Sequence, residues 1–128
     1  MSTETNKALL RRYYEEVLNQ GKLSVIDELF APDLVEGFKG AVATSRTAFP
    51  DLRVTVEDQI AEGDRVVTRL TAQGTHKGAF IGIPPTGKKV TLTAIHIHRI
   101  DGGKVVKLWE EINLLGLMQQ LGVFPSGV

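Results

Sequence analysis

From Thr5 to Leu18 apolar residues recur at intervals of three and four: Leu9, Leu10, Tyr13, Tyr14, Val17 and Leu18. That spacing predicts one stripe of an amphipathic helix, ended by Gly21. A second short helix is expected from about Leu23 to Phe30, with Val25, Ile26, Leu29 and Phe30 inward and Pro32 stopping it. A third helical segment, Glu36 to Phe49, places Phe38, Val42 and Phe49 roughly on one side; Gly37 and Gly40 weaken it and Pro50 ends it. The period then changes. DLRVTVEDQI alternates with a period of two, RVVTRLTAQGTH does so less cleanly, and VTLTAIHIHRI and KVVKLWEEI restore the pattern. Between the second and third runs lies a Gly/Pro loop, KGAFIGIPPTGKK, and Leu114 to Leu121 reads again as helix or turn. Helices followed by adjacent strands predict an α+β fold with an antiparallel sheet. Nothing repeats and no linker divides the chain, so residues 1–128 form one domain.

Composition narrows the chemistry. With 42% hydrophobic residues, a chain of 128 can bury a core without covalent staples, and having no cysteine it has no disulfide, thiol nucleophile or zinc-thiolate site. Fifteen basic and fifteen acidic residues give zero formal charge, which argues against nucleic acid as a partner. The charged N-terminus lacks a signal-peptide core, and no apolar run approaches the roughly 20 residues of a membrane helix. A cytoplasmic, soluble protein is expected.

The candidate chemistry lies in AIHIHRIDGGKVVKLWEEI, Ala94 to Ile112, where two of the three histidines and Glu110 sit among apolar residues. DGGK marks a hairpin. A two-residue loop, Gly102-Gly103, would pair Ile100 with Val105 and place even positions of one strand beside odd positions of the other. A three-residue loop with a bulge would pair Ile100 with Lys104, so that even faces even, with Ala94 opposite Glu110 and His96 diagonal to it. Residue chemistry favours the second register. It gathers Val90, Leu92, Ala94, His96 and Ile100 with Val106, Leu108, Glu110 and Ile112 on one apolar surface. The other face receives Thr91, Thr93, Arg99, Lys107 and Glu111. Glu110 would then be a desolvated carboxylate with a raised pKa, suited to general-base work. His96 would hydrogen-bond it or stabilise a developing oxyanion. The competing reading leaves Glu110 exposed and His96 satisfied by a backbone group.

The stretch GTHKGAFIGIPPTGKKVTLTAIHIHRIDGGKVVKLWEEINLLGLMQQLG resembles the SnoaL-like polyketide cyclases, also called the ester cyclase family. The shared pattern falls on Gly74, His76, Gly78, Phe80, Gly82, Pro84, Pro85, Thr86, Gly87, Trp109, Leu115, Gly116, Leu117, Gln120, Leu121 and Gly122. ALLRRYYEEVLNQG, IDELFAPD and AFPDLRVTVEDQIAEGD extend it over nearly the whole chain. The resemblance implies the nuclear transport factor 2-like cone: about three N-terminal helices packed on a curved antiparallel sheet that encloses a pocket. It also implies ring closure by intramolecular aldol condensation, or related lyase or isomerase chemistry, with no metal and no cofactor. An acid removes a proton alpha to a carbonyl of a hydrophobic, often aromatic, substrate. Laid on the family without gaps, the acid/base carboxylate falls at Glu110 and the cyclase histidine at His96. Members characterised so far carry aspartate where this chain has glutamate. A polar stretch that follows the second helix in the family is absent after Val35, which is expected to open or reshape the pocket mouth.

Around this pair, Leu92, Ala94 and Leu108 are expected on the pocket wall, and Phe80 and Ile83 at the entrance. His98 is read as wall or rim, Tyr13 and Tyr14 as helix residues able to reach the cavity, and His76 as a hydrogen-bonding anchor for its loop. Trp109 points away, and the sheet face carrying Thr91, Thr93, Ile95 and Ile97 is expected to be covered in a homodimer. The alternative to an enzyme is a binding protein for an apolar metabolite using the same pocket.

Overall fold

The computed structural model describes residues 2–123. Helix α1, Thr3–Arg12, opens on Ser2, whose hydroxyl accepts a hydrogen bond from the Thr5 amide at 3.0 Å. The spacing predicted an uninterrupted α-helix here, but the chain continues as π-helix over Tyr13–Asn19. π turns are wider than α turns, and this segment buries the adjacent Tyr13 and Tyr14 together with Val17. Helix α2, Val25–Leu29, is short, and the chain leaves it extended at Phe30, which bridges to Val105. Helix α3 spans Pro32–Ala48 and so begins four residues before the expected Glu36. Pro32 opens α3 rather than merely closing α2, because a first-turn position needs no amide hydrogen.

Four strands follow: β1 (Arg53–Glu62), β2 (Arg65–Thr75), β3 (Lys89–Asp101) and β4 (Lys104–Ile112). They pair antiparallel in the order β1-β2-β3-β4. The helices cover the concave face of this curved sheet. Leu10, Tyr14, Val17, Ile26 and Phe30 pack there against Val54, Val66, Leu70, Ala94 and Ile100. This is the expected α+β cone.

Two bulges decide which side chains face inward. In β1 the register shifts between Val56 and Asp58, so the inner face passes from Val54 and Val56 to Gln59 and Ala61. The β3–β4 turn corrects the favoured three-residue loop. Asp101 pairs with Lys104 and Ile100 with Val105, around a two-residue loop in which Gly102 and Gly103 have φ of 57° and 77°. Positive φ at both positions is what a type I′ turn requires. A bulge then leaves Val106 unpaired, and Arg99 meets Lys107. From there even faces even, as residue chemistry favoured, but displaced by two residues. His96 lies directly opposite Glu110, and Ala94 lies opposite Ile112.

The Gly/Pro loop is tied down at both ends. Thr86 donates its amide to His76 Nδ1 at 3.2 Å, its hydroxyl lies 3.0 Å from the same nitrogen, and the Gly87 amide donates to the His76 carbonyl. His76 is therefore the loop anchor the motif suggested. At Gly78 a Cβ would stand 2.5 Å from the Thr47 carbonyl oxygen and 3.1 Å from Ala48 Cα, both backbone atoms. Gly78→Ala is accordingly expected to destabilise the fold by about 1–3 kcal/mol, read as a lower urea midpoint; an unchanged midpoint would show that the loop shifts freely.

Helix α4, Leu114–Leu121, closes the domain. Leu117 and Leu121 join Ala48, Phe49 and Val90 in a second apolar cluster, and the Gln120 amide group exchanges two 2.7 Å hydrogen bonds with the Thr91 backbone. Among the described residues no helix is long and apolar enough to cross a membrane.

Candidate active site

Between the helices and the sheet lies a cavity of about 520 Å³. Leu70, Leu92, Ala94 and Leu108 form its sheet wall, Leu34, Phe38 and Val42 its α3 wall, and Phe80 and Leu117 flank it from the loop and α4. One face of α3, from Asp33 to Ser45, forms this wall. Among the described residues no Lys or Arg lines the cavity. Among the described residues no group of three or more His, Asp or Glu side chains is arranged to hold a metal ion.

His96 and Glu110 lie on the cavity wall, with His96 Nε2 2.7 Å from Glu110 Oε2. The cross-strand pairing sets this contact, since directly opposed side chains on one sheet face stand closest. Behind His96, the Tyr14 hydroxyl is 2.8 Å from Nδ1. A carboxylate only accepts, so it is Nε2 that carries a proton toward Glu110. Both ring nitrogens are thus occupied, and Glu110 Oε1 has no partner among the described residues.

The support extends further back. Arg11 donates to Gln59 Oε1 at 2.8 Å, which turns the Gln59 NH₂ toward Thr68 Oγ1 at 3.3 Å. Burial raises the Tyr14 phenol above its ordinary pKa, while a hydrogen bond from Thr68 pulls it down. Sequence reading missed Gln59 and Thr68, because only the β1 bulge turns Gln59 inward.

The expected upward shift of Glu110 is overturned. The hydrogen bond from His96 holds its carboxyl below the ordinary value, against the opposing effect of partial burial, and the charge of His96 adds to the lowering. Its side chain remains 47% exposed, so desolvation is too weak to prevail.

Of the other expected residues, Tyr13, Phe80, Leu92, Ala94 and Leu108 lie on the cavity wall. Three do not. Tyr14 stands behind His96 at 1% exposure, stacked with it at a ring distance of 5.9 Å. Ile83 turns into the second cluster, with its backbone bonded to Phe80. His98, expected on the wall or rim, is fully buried, and neither ring nitrogen has a partner. It shares the inner face with His96, but lies two residues closer to the turn, where the helices close over the sheet. Trp109 lies opposite Ile97, outside the cavity, with the Arg65 guanidinium 5.0 Å from its ring centre.

A curved α+β cone with an apolar cavity between helices and sheet defines the class of fold. Residues 8–121 match the SnoaL-like polyketide cyclase family, and the chain belongs to that family. It is 34% identical over 108 residues to the aklanonic acid methyl ester cyclase DnrD of Streptomyces peucetius, covering 84% of this chain and 72% of that protein. It is 27% identical to the nogalonic acid methyl ester cyclase of Streptomyces nogalater, covering 81% of this chain and 88% of that protein. Among solved structures, TsrD from Streptomyces laurentii superposes with a TM-score of 0.92 at 28% identity, covering 97% of this chain and 99% of that one.

Proposed function

We propose that the protein is a cofactor-independent cyclase that removes a proton alpha to a carbonyl of a hydrophobic substrate. The observation that carries this reading is the 2.7 Å His96–Glu110 contact, which leaves Oε1 unoccupied on the wall of an apolar cavity. In the step, the C–H bond breaks and its proton passes to Glu110 Oε1. The electron pair forms the enolate, whose carbon attacks a second carbonyl of the same molecule. The new carbon–carbon bond closes the ring, and the alkoxide it leaves takes the proton back from Glu110. His96 orients the carboxylate and takes no proton from the substrate. A lining without Lys or Arg, and with Asp33 as a second carboxylate, favours an uncharged ester over the free acid.

Aklanonic and nogalonic acid methyl esters, named for the relatives' activities, are the first substrates to offer. A chromatographic product of unchanged mass and altered absorbance is the expected result. Conversion of neither ester, together with no solvent-deuterium uptake at their alpha carbons, would remove the cyclase reading.

One observation favours a second reading, a carrier of an apolar metabolite. Glu110 is half exposed and its pKa is held down, which weakens it as a base. Binding of either ester without conversion or exchange would select that function. Under both readings we place the protein in the cytoplasm as a homodimer, through the sheet face where Ile95 is 47% and Trp109 39% exposed.

A further inference from the structure

An enolate leaves a negative oxygen inside an apolar cavity, and a base alone does not stabilise it. His96 is unable to supply a donor, since Nε2–H serves Glu110 and Nδ1 faces the Tyr14 hydroxyl. Among the described residues the cavity wall also lacks cationic side chains of Lys or Arg, and its remaining side-chain donors are Tyr13, Ser45 and Gln73.

Position separates these three. Gln73 pairs with Thr91, five residues along β3 from His96 and so about 17 Å away at strand rise. Ser45 sits one helical turn before Phe49, which packs on Phe80 and His76 at that same distant end. Tyr13 is at the near end. Its ring centre is 5.4 Å from that of Tyr14 and 6.2 Å from that of His98, the two aromatic neighbours of His96. It is only 5% exposed, yet among the described residues its hydroxyl has no hydrogen-bond partner and is not sealed off in the interior. A phenol hydroxyl that reaches the cavity and has no protein partner is free to donate to a ligand there.

We propose that the Tyr13 hydroxyl is the oxyanion donor: it hydrogen-bonds the substrate carbonyl oxygen and holds the enolate that forms when Glu110 takes the alpha proton. This rests on the cyclase reading and adds a catalytic residue to it. No proton leaves the phenol; the bond to the oxygen shortens as charge develops there. Burial, and then the charge of Glu110, keep Tyr13 protonated well above neutral pH, so it stays a donor throughout the working range.

The test uses 2-naphthol, a planar apolar phenol that offers an enolate-like oxygen, and naphthalene, which lacks that oxygen. Fluorescence titrations compare the wild type with Tyr13→Phe. The expected result is about tenfold weaker 2-naphthol binding in the variant, the scale of one buried hydrogen bond, with naphthalene affinity unchanged. Equal 2-naphthol affinity in both proteins would overturn the proposal. So would a parallel loss of both ligands, which marks a packing role, or no 2-naphthol binding by the wild type. The base is read separately, from deuterium exchange at the alpha carbon of 2-tetralone by wild type and Glu110→Gln. Loss of the cyclase reading therefore shows in the exchange arm, and loss of the Tyr13 role in the naphthol arm.

Discussion

Replacing Glu110 with glutamine is expected to lower alpha-proton removal by about 10²–10⁴-fold, the contribution of a positioned general base. The fold should survive. The side chain is half exposed, and the glutamine amide oxygen still accepts the hydrogen bond from His96 Nε2. The variant loses basicity while keeping shape, so ligand affinity should change little. Deuterium uptake followed by NMR and ligand titration on the same sample separate the two quantities. A variant exchanging protons within threefold of the wild type would show that Glu110 is not the base and leave the carrier function in front. The lowered pKa of Glu110 adds a pH signature, because the carboxylate stays ionised to more acidic pH than a free glutamate. Activity should therefore fall only on the acid side of 4.5, the ordinary value, and be flat through neutrality.

The second large effect is on stability. Burial, with a smaller contribution from the charge of His96, pushes His98 down from 6.5 to about 3. Between those values the unfolded chain binds a proton that the folded chain refuses. The stability this residue contributes is complete above 6.5 and declines as pH falls, until about pH 3. The loss attributable to His98 is about 2 kcal/mol by pH 5 and approaches about 5 kcal/mol at the low end. Glu110 acts in the same direction but below 4.5, so unfolding at pH 7 and pH 5 isolates the histidine. His98→Leu should match or exceed wild-type stability at pH 7, since it removes two unpartnered buried nitrogens. Its unfolding free energy should fall by about 2 kcal/mol less than the wild type's between pH 7 and 5. Equal losses in the two proteins would mean that His98 is hydrated or protonated in the folded state.

Much of the architecture was legible from the chain. The period of three and four before Pro50 and the period of two after it gave helices followed by strands, and the Gly-Gly turn gave the β3–β4 hairpin. The loop motif placed His76 as an anchor, and a motif of that length pointed to the family. The boundary at Pro32 was misplaced because proline is compatible both with the end of one helix and with the first turn of the next. Local sequence carries no term to choose between them. The π-helical stretch was likewise invisible, since its apolar spacing is also that of an α-helix.

The site divides along the same line. That His96 and Glu110 belong together was readable from residue chemistry, because only one parity puts the apolar residues of both strands on one face. How they meet was not. The extra residue sits at Val106 instead of in the turn, and it makes the two side chains direct rather than diagonal neighbours. A bulge is fixed by what both strands pack against, not by the residues that form it. The environment of Glu110 was also beyond the chain's reach, since desolvation depends on how completely distant segments close over a side chain, and here they leave it half open. The sequence by itself determined the class of fold, the family and the identity of the paired acid and imidazole. Only the tertiary structure decided that the pair lies 2.7 Å apart, that His98 is sealed behind it, and that the Tyr13 hydroxyl has no partner among the described residues. Those outcomes depend on contacts between residues far apart in sequence, which no local pattern encodes.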